Sequence, residues 1–175
     1  MSDYRTLSQL TGLSVPVLQR LVSNGQLHTD DPERRKGVER PFTVGDGMRA
    51  CLMAALARIG VGYADAGRLV APLAWKDGFT YAGKPCGPDP VLAVWTENAD
   101  RDERPLNQQP VRYEAALLPR ETCLNMLARP AIEGLVVLPL ARHWHQLLAL
   151  SEARRAKART PEQNGWAAVM EKRKP

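Results

Sequence analysis

The sequence predicts an α+β protein whose first part is mainly helical and whose second part is a small β-β-α-β-α unit. In residues 1–73, apolar side chains recur three and four positions apart, as they do on the buried side of helices. From Val91 onward, short Val-containing apolar runs separated by polar or Pro-containing stretches are typical of buried strands. Residues 74–90, which are rich in Gly and Pro, predict a linker between two domains.

The stretch from Tyr4 to Leu27 predicts two short helices joined by a tight turn. Gly12 suits the end of the first helix, Ser14 the N-cap of the second, and Pro16 its first turn. The second helix has an apolar stripe formed by Leu18, Leu21 and Val22. Its other face carries Gln19, Arg20 and Ser23. Two short helices with Gly in the turn are the helix-turn-helix pattern, whose second helix enters the major groove of DNA.

Six residues in order then match a known family: Thr11, Gly12, Leu13, Ser14, Gly25 and Leu27. The run Gly37-Val38-Glu39-Arg40-Pro41-Phe42 follows them. Together they resemble the winged helix-turn-helix of MerR-type regulators and of small excisionase-type DNA-binding domains, over residues 4–73. The MerR-type reading helix usually carries an Arg and two aromatic residues where this chain has Gln19, Arg20 and Leu21, so the excisionase-like variant is the closer one.

This resemblance implies double-stranded DNA as the partner. Arg pairs with guanine and Gln with adenine in the major groove, so Arg20 and Gln19 are expected to read bases, with Pro16 and Ser23 beside them. The phosphate contacts are expected from Ser14 and from a wing formed by residues 28–40, whose cations are Arg34, Arg35, Lys36 and Arg40. The acidic residues of the same segment reduce its net charge.

The stretch from Thr43 to Gly60 predicts a third helix, capped by Thr43 or by Asp46. Its core-facing stripe includes Cys51, which we expect to behave as a small buried apolar residue. A shorter helix is predicted from Tyr63 to Val70.

The second domain, residues 91–159, is predicted to contain three strands, a short helix ending near Ala128, and a long helix from Leu140 to Ala158; a basic tail, 160–175, follows. The apolar residues of the long helix spread over more than one face, which favours a homodimer formed through this helix or through an edge of the sheet. The expected dimer residues are Trp144, Leu147, Leu148 and Leu150.

Composition excludes several classes. The apolar runs are too short for a membrane span, and the N-terminus lacks a signal peptide, so we expect a cytoplasmic protein without a membrane partner. The net charge of +5 comes from the first and last parts of the chain, because residues 76–140 are net negative. His143 and His145 lie two apart, a spacing unsuited to one metal ion on a helix. We expect no metal, no cofactor and no enzymatic activity, since no catalytic motif is present.

Three functions remain open. The first is a sequence-specific transcription regulator, whose second domain supplies the dimer surface or a surface for the transcription machinery. The second is an excisionase-like architectural factor that binds DNA cooperatively and bends it. The third is a small-molecule sensor with a DNA-binding head, for which four tryptophans could line a pocket, although core or interface roles are commoner for them.

Overall fold

A computed structural model describes residues 3–30, 42–75, 79–85, 89–97, 112–129 and 132–149. The structure is a mixture of helix and sheet, consistent with the predicted α+β class. Its helices are α1 (Tyr4–Thr11), α2 (Val15–Ser23), α3 (Val44–Arg58), α4 (Tyr63–Val70), α5 (Arg120–Leu127) and α6 (residues 140–149). Its strands are β1 (Leu73–Trp75), β2 (Phe79–Tyr81), β3 (Lys84–Pro85), β4 (Pro90–Glu97), β5 (Tyr113–Pro119) and β6 (Ile132–Pro139). Within these ranges no helix is long and apolar enough to cross a membrane.

Helix α3 is the central helix of the N-terminal part. Thr43 is its N-cap, and Asp46 completes a capping box, so both residues proposed from the sequence take part. Most of its side chains are buried, including Met48, Leu52 and Cys51. Burial raises the pKa of the Cys51 thiol to about 11, which keeps it protonated and unreactive, as expected for a residue that fills the core.

The predicted linker residues contain a sheet of their own. Strands β1, β2 and β3 form an antiparallel sheet in that order, with Ala74 opposite Thr80 and Tyr81 opposite Lys84. Strand β2 is the middle strand and pairs with β1 on one side and with β3 on the other. The turn between β2 and β3 is Ala82-Gly83, where both residues have positive φ angles of 49° and 76°.

This turn predicts a stabilising substitution. A two-residue hairpin turn with two positive φ angles favours Asn-Gly, because Asn tolerates the left-handed region better than Ala does. We expect Ala82→Asn to raise the free energy of unfolding by about 0.5–1 kcal/mol. Urea unfolding of the two proteins measures the change, and Ala74→Asn, on an exposed strand position, is the control that should not stabilise. An equal or lower stability of Ala82→Asn would contradict this turn geometry.

The second sheet has the order β5-β4-β6 and is antiparallel throughout. Its central strand β4 is buried on both faces, since Val91, Leu92 and Ala93 are all 0% exposed. One face, with Leu92 and Val94, joins the main core, and the other packs against Cys123 and Met126 of α5. Over the described residues the elements of this part follow in the order β4, β5, α5, β6 and α6, with β4 as the middle strand of the sheet.

One apolar core connects the helices to this sheet. Leu7, Met48 and Leu73 belong to the same buried cluster as Leu92 and Leu140. Helix α6 approaches α3 so closely that a Cβ atom on Gly47 would lie 2.6 Å from Leu147 Cδ2. The division into domains at residues 74–90 stays a prediction, but the two parts are packed around a shared interior.

Candidate nucleic-acid interface

The outer face of α2 is exposed and carries three polar side chains and one proline. Four residues at helical spacing are exposed on this short helix: Pro16, Gln19, Arg20 and Ser23. Its inner face is fixed in the core, since Leu18 is 0% and Leu21 1% exposed. The structure therefore brings together, on one side of one helix, the residues that the sequence assigned to base contacts.

The N-terminus of α2 adds a free hydroxyl to this face. Ser14 occupies the N-cap position with an extended backbone, but its side chain makes no capping hydrogen bond. It is exposed, and the first backbone N–H groups of the helix lie next to it. Helix N-termini attract anions, so the position that Ser14 takes suits a phosphate oxygen.

The turn between α1 and α2 is held by three polar contacts. Gly12 has a φ of 72°, which ends α1 in the left-handed conformation. The Thr11 hydroxyl donates to the Leu7 carbonyl at 2.7 Å and accepts from the Leu13 N–H at 3.1 Å. The guanidinium of Arg58, at the end of α3, donates to the Thr11 carbonyl. These contacts set the angle at which α2 leaves α1.

The other end of α2 is set by close packing of α4. Gly25 has a φ of 68°, and the N–H of Gln26 donates back to Leu21 at 2.9 Å. Gly67 of α4 lies against the backbone of Gln26, so that an added Cβ atom would overlap the Gln26 carbonyl, with the carbonyl carbon only 2.9 Å away. Glycine at position 67 is thus what allows α4 to support α2.

A polar cluster with a buried centre lies at the start of α3. We call it the Arg49 cluster; Arg49 and Asp46 are buried, and Asp30 and Thr43 are exposed. Arg49 is 4% exposed and uses every part of its guanidinium. Nε donates to the His28 carbonyl at 3.1 Å and Nη1 to the Leu73 carbonyl at 2.7 Å. Nη2 pairs with Asp46 at 2.7 Å and also with Asp30. The cluster therefore joins the segment after α2, the start of α3 and β1.

The carboxylate of Asp46 holds both flanks of residues 31–41, the segment assigned to the wing. Its Oδ1 accepts from the Asp30 N–H at 2.8 Å, and its Oδ2 accepts from the Thr43 N–H at 2.9 Å. Burial raises the pKa of Asp30, but hydrogen bonds from Thr43 and Arg49 and the Arg49 charge lower it by more, so the pKa lies below its usual value. The flanks of the segment therefore meet at one buried, charged anchor.

Phe42 adds an apolar contact at the same place. It is 1% exposed, and its ring meets the edge of Tyr4 with the centroids 4.8 Å apart. Phe42, the first described residue after the segment, is thereby packed against the first turn of α1. The wing residues themselves, Arg34, Arg35, Lys36 and Arg40, lie outside the described residues.

The predicted dimer residues have mixed positions. Leu147 is 6% exposed and packs against α3 of its own chain, and Trp144 lies against Trp75 and Phe79, with the two indole rings 4.0 Å apart. Leu148 is half-buried, and Leu150 lies outside the described residues. The contacts of Trp75 and Trp144 fit the expectation that tryptophans anchor the core.

The described ranges show no group of three or more His, Cys, Asp or Glu side chains that could hold a metal ion. His145 is exposed, and His143 is half-buried. Burial, with the charges of Arg142 and Arg58, lowers the pKa of His143, although a hydrogen bond with Gln146 raises it.

Sequence reasoning did not single out Arg49 or Gly67. The available signal for Arg49 was its place inside an apolar helical run, three residues after Asp46, where a solvated charge is out of place. The signal for Gly67 was weaker, because a glycine inside a helix shows only that something lies close.

A scan of the sequence against protein-family models finds no match, and a search of the curated proteins finds none either. The functional assignment therefore depends on the residues and their arrangement.

Proposed function

We propose that this protein is a sequence-specific DNA-binding transcription regulator, and that residues 4–73 form a winged helix-turn-helix of the MerR and excisionase type. In this proposal α2 enters the major groove of double-stranded DNA. Gln19 and Arg20 contact base edges, with Pro16 and Ser23 beside them, and Ser14 contacts a phosphate.

The observation that carries the proposal is the two-sided character of α2. Leu18 and Leu21 on its inner side are fully buried, and its other side presents Gln19, Arg20 and Ser23 to solvent on a helix only nine residues long. A short helix that is held rigidly on one side and offers Gln and Arg on the other has the chemistry of base-edge recognition. The hydrogen bond from Arg58 to the Thr11 carbonyl fixes the helix at its start, and the close packing of Gly67 on Gln26 fixes it at its end.

The wing is the second part of the proposal. Asp30 and Thr43, which flank residues 31–41, are both bonded to Asp46, which is the arrangement expected at the base of a hairpin. Arg34, Arg35, Lys36 and Arg40 are proposed to contact phosphates, which provide affinity and register without sequence information. One small reading helix makes few contacts, so a homodimer on two half-sites is proposed as well.

The test is Arg20→Ala on duplexes that the wild-type protein selects from a random pool. A bidentate contact from Arg to guanine contributes about 1–3 kcal/mol of discrimination, so the ratio of specific to scrambled binding should fall by about tenfold or more. Arg129→Ala, which removes an equally exposed charge far along the chain, should leave the ratio unchanged. Unchanged discrimination by Arg20→Ala would remove Arg20 from the reading set.

A further inference from the structure

The carbonyl of Thr11, the last residue of α1, needs a donor from outside its own helix. The last carbonyls of a helix have no intrahelical partner, and Thr11 is only 2% exposed, so water has little access to it. Among the described residues no backbone N–H donates to this carbonyl. Its donor is the guanidinium of Arg58, 47 residues later in the chain. A buried carbonyl without a donor destabilises a fold, so the turn before α2 depends on this contact.

The glycine at position 12 leaves room for this guanidinium. An added Cβ atom at Gly12 would lie 3.2 Å from Arg58 Nη2, so the guanidinium lies against the turn on the side where no side chain stands. Arg58 itself belongs to the last turn of α3, whose first turn is fixed by the ion pair of Arg49 with Asp46. The turn before α2 is thereby tied to the central helix of the N-terminal part.

The direction of α2 matters more for base contacts than for phosphate contacts. A bidentate contact from an arginine to a guanine needs two well-aligned hydrogen bonds at once, so the binding groups have to be held within about 0.5 Å of the productive geometry. Attraction to phosphates is electrostatic and extends over roughly 10 Å in salt, so it tolerates a small rotation of the helix. A residue that fixes α2 without contacting a base should therefore affect discrimination between sequences more than affinity for DNA in general.

We propose that Arg58 is a specificity-determining positioning residue, which fixes the angle of α2 through the Thr11 carbonyl and contacts no base itself. The inference rests on the proposed function, because it gives Arg58 a part in base reading by α2. Without Arg58 the Thr11 carbonyl loses its donor, and Gln19 and Arg20 lose their fixed approach to the groove. The Arg58 side chain is exposed, so its replacement leaves no cavity in the core.

The test compares binding to duplexes that the wild-type protein selects with binding to scrambled duplexes, at one salt concentration. Arg58→Met should lower the ratio of specific to scrambled binding about fivefold or more, the smaller value of one bidentate base contact. Arg58→Lys keeps the charge and a donor at the end of a long side chain, so it should restore most of the ratio. Arg68→Met is the matched control and should leave the ratio unchanged. Arg68 also lies in the last turn of its helix and donates to a backbone carbonyl, that of Tyr113.

Two results of this experiment would overturn the proposal. The first is an Arg58→Met protein that binds both kinds of duplex as the wild type does. The second is an Arg58→Met protein that binds specific and scrambled duplexes more weakly by equal factors, because a residue in direct contact with a phosphate gives that result.

Hydrogen exchange without DNA distinguishes failure of this inference from failure of the proposed function. The Leu13 N–H, which donates to the Thr11 hydroxyl, should exchange faster in Arg58→Met than in the wild type. The Asp30 N–H, which is bonded to Asp46, should keep its wild-type rate. Unchanged exchange at Leu13 would overturn the role of Arg58 whatever the DNA assays give. A wild-type protein that selects no duplex would overturn the proposed function, and the specificity role with it, even where exchange at Leu13 shows that Arg58 holds the turn.

Discussion

Replacing Arg49 with Met is expected to lower the free energy of unfolding by about 3–5 kcal/mol, because removal of one partner leaves a buried charge without compensation. Met fills a similar volume, so the loss does not come from a cavity. Asp46 is 1% exposed and loses its ion pair, and the carbonyls of His28 and Leu73 lose their donor. Urea unfolding followed by circular dichroism measures the change.

The chain contains a matched control for this experiment. Asp65 and Arg68 have the same spacing on α4 as Asp46 and Arg49 on α3, but they are exposed and 3.6 Å apart. An exposed pair contributes about 0–1 kcal/mol, so Arg68→Met should change stability far less. Equal effects of the two substitutions would mean that the Arg49 cluster is not a buried anchor.

Gly67→Ala is expected to lower the free energy of unfolding by about 1–3 kcal/mol or more, the usual range for overpacking a tight contact. The added methyl group meets backbone rather than a side chain, because the Gln26 carbonyl occupies its place. Backbone cannot turn away as a side-chain end does, so α4 or the end of α2 must move. If α2 reads DNA, the same substitution should also weaken specific binding.

Gly62→Ala provides the comparison for Gly67→Ala. Gly62 is the N-cap of α4, its φ is −58°, and an added Cβ atom would meet no atom within 4 Å. Ala restricts the unfolded chain, which stabilises the fold, but it is a poorer N-cap than Gly, which destabilises it. The two effects nearly cancel, so the free energy of unfolding should change by no more than about 0.5 kcal/mol. Thermal unfolding of both variants separates the two sites, and similar melting temperatures would contradict the close approach at Gly67.

Local sequence signals predicted helices α1, α2 and α3 because a capping or helix-ending residue marks each of them. Gly12 and Gly25 end α1 and α2 with positive φ angles, and Thr43 caps α3. The exposed row on α2 followed from helical periodicity alone, since Leu18 and Leu21 had to face inward.

Long-range contacts could not be predicted in the same way. The sheet formed by β1, β2 and β3 lies where Gly and Pro suggested a linker. It was not predicted because strands of two or three residues give too short a sequence pattern to detect. The sequence predicts Leu147 as a dimer residue, but its side chain lies against Gly47, a hundred residues earlier in the chain. The four members of the Arg49 cluster and the carbonyls of His28 and Leu73 come together from separate parts of the chain, and no periodicity in the sequence connects them.

Whether α2 reads bases is measured by selecting duplexes from a randomised pool with the wild-type protein and with Arg20→Ala. We predict that the wild-type protein enriches a short motif and that Arg20→Ala, equally well folded, loses the preference at one or two base positions. Repeating the selection at two salt concentrations separates base recognition from non-specific attraction to phosphates. Failure of the wild-type protein to enrich any motif, or enrichment of the same motif by Arg20→Ala, would contradict the assignment of α2 as a reading helix.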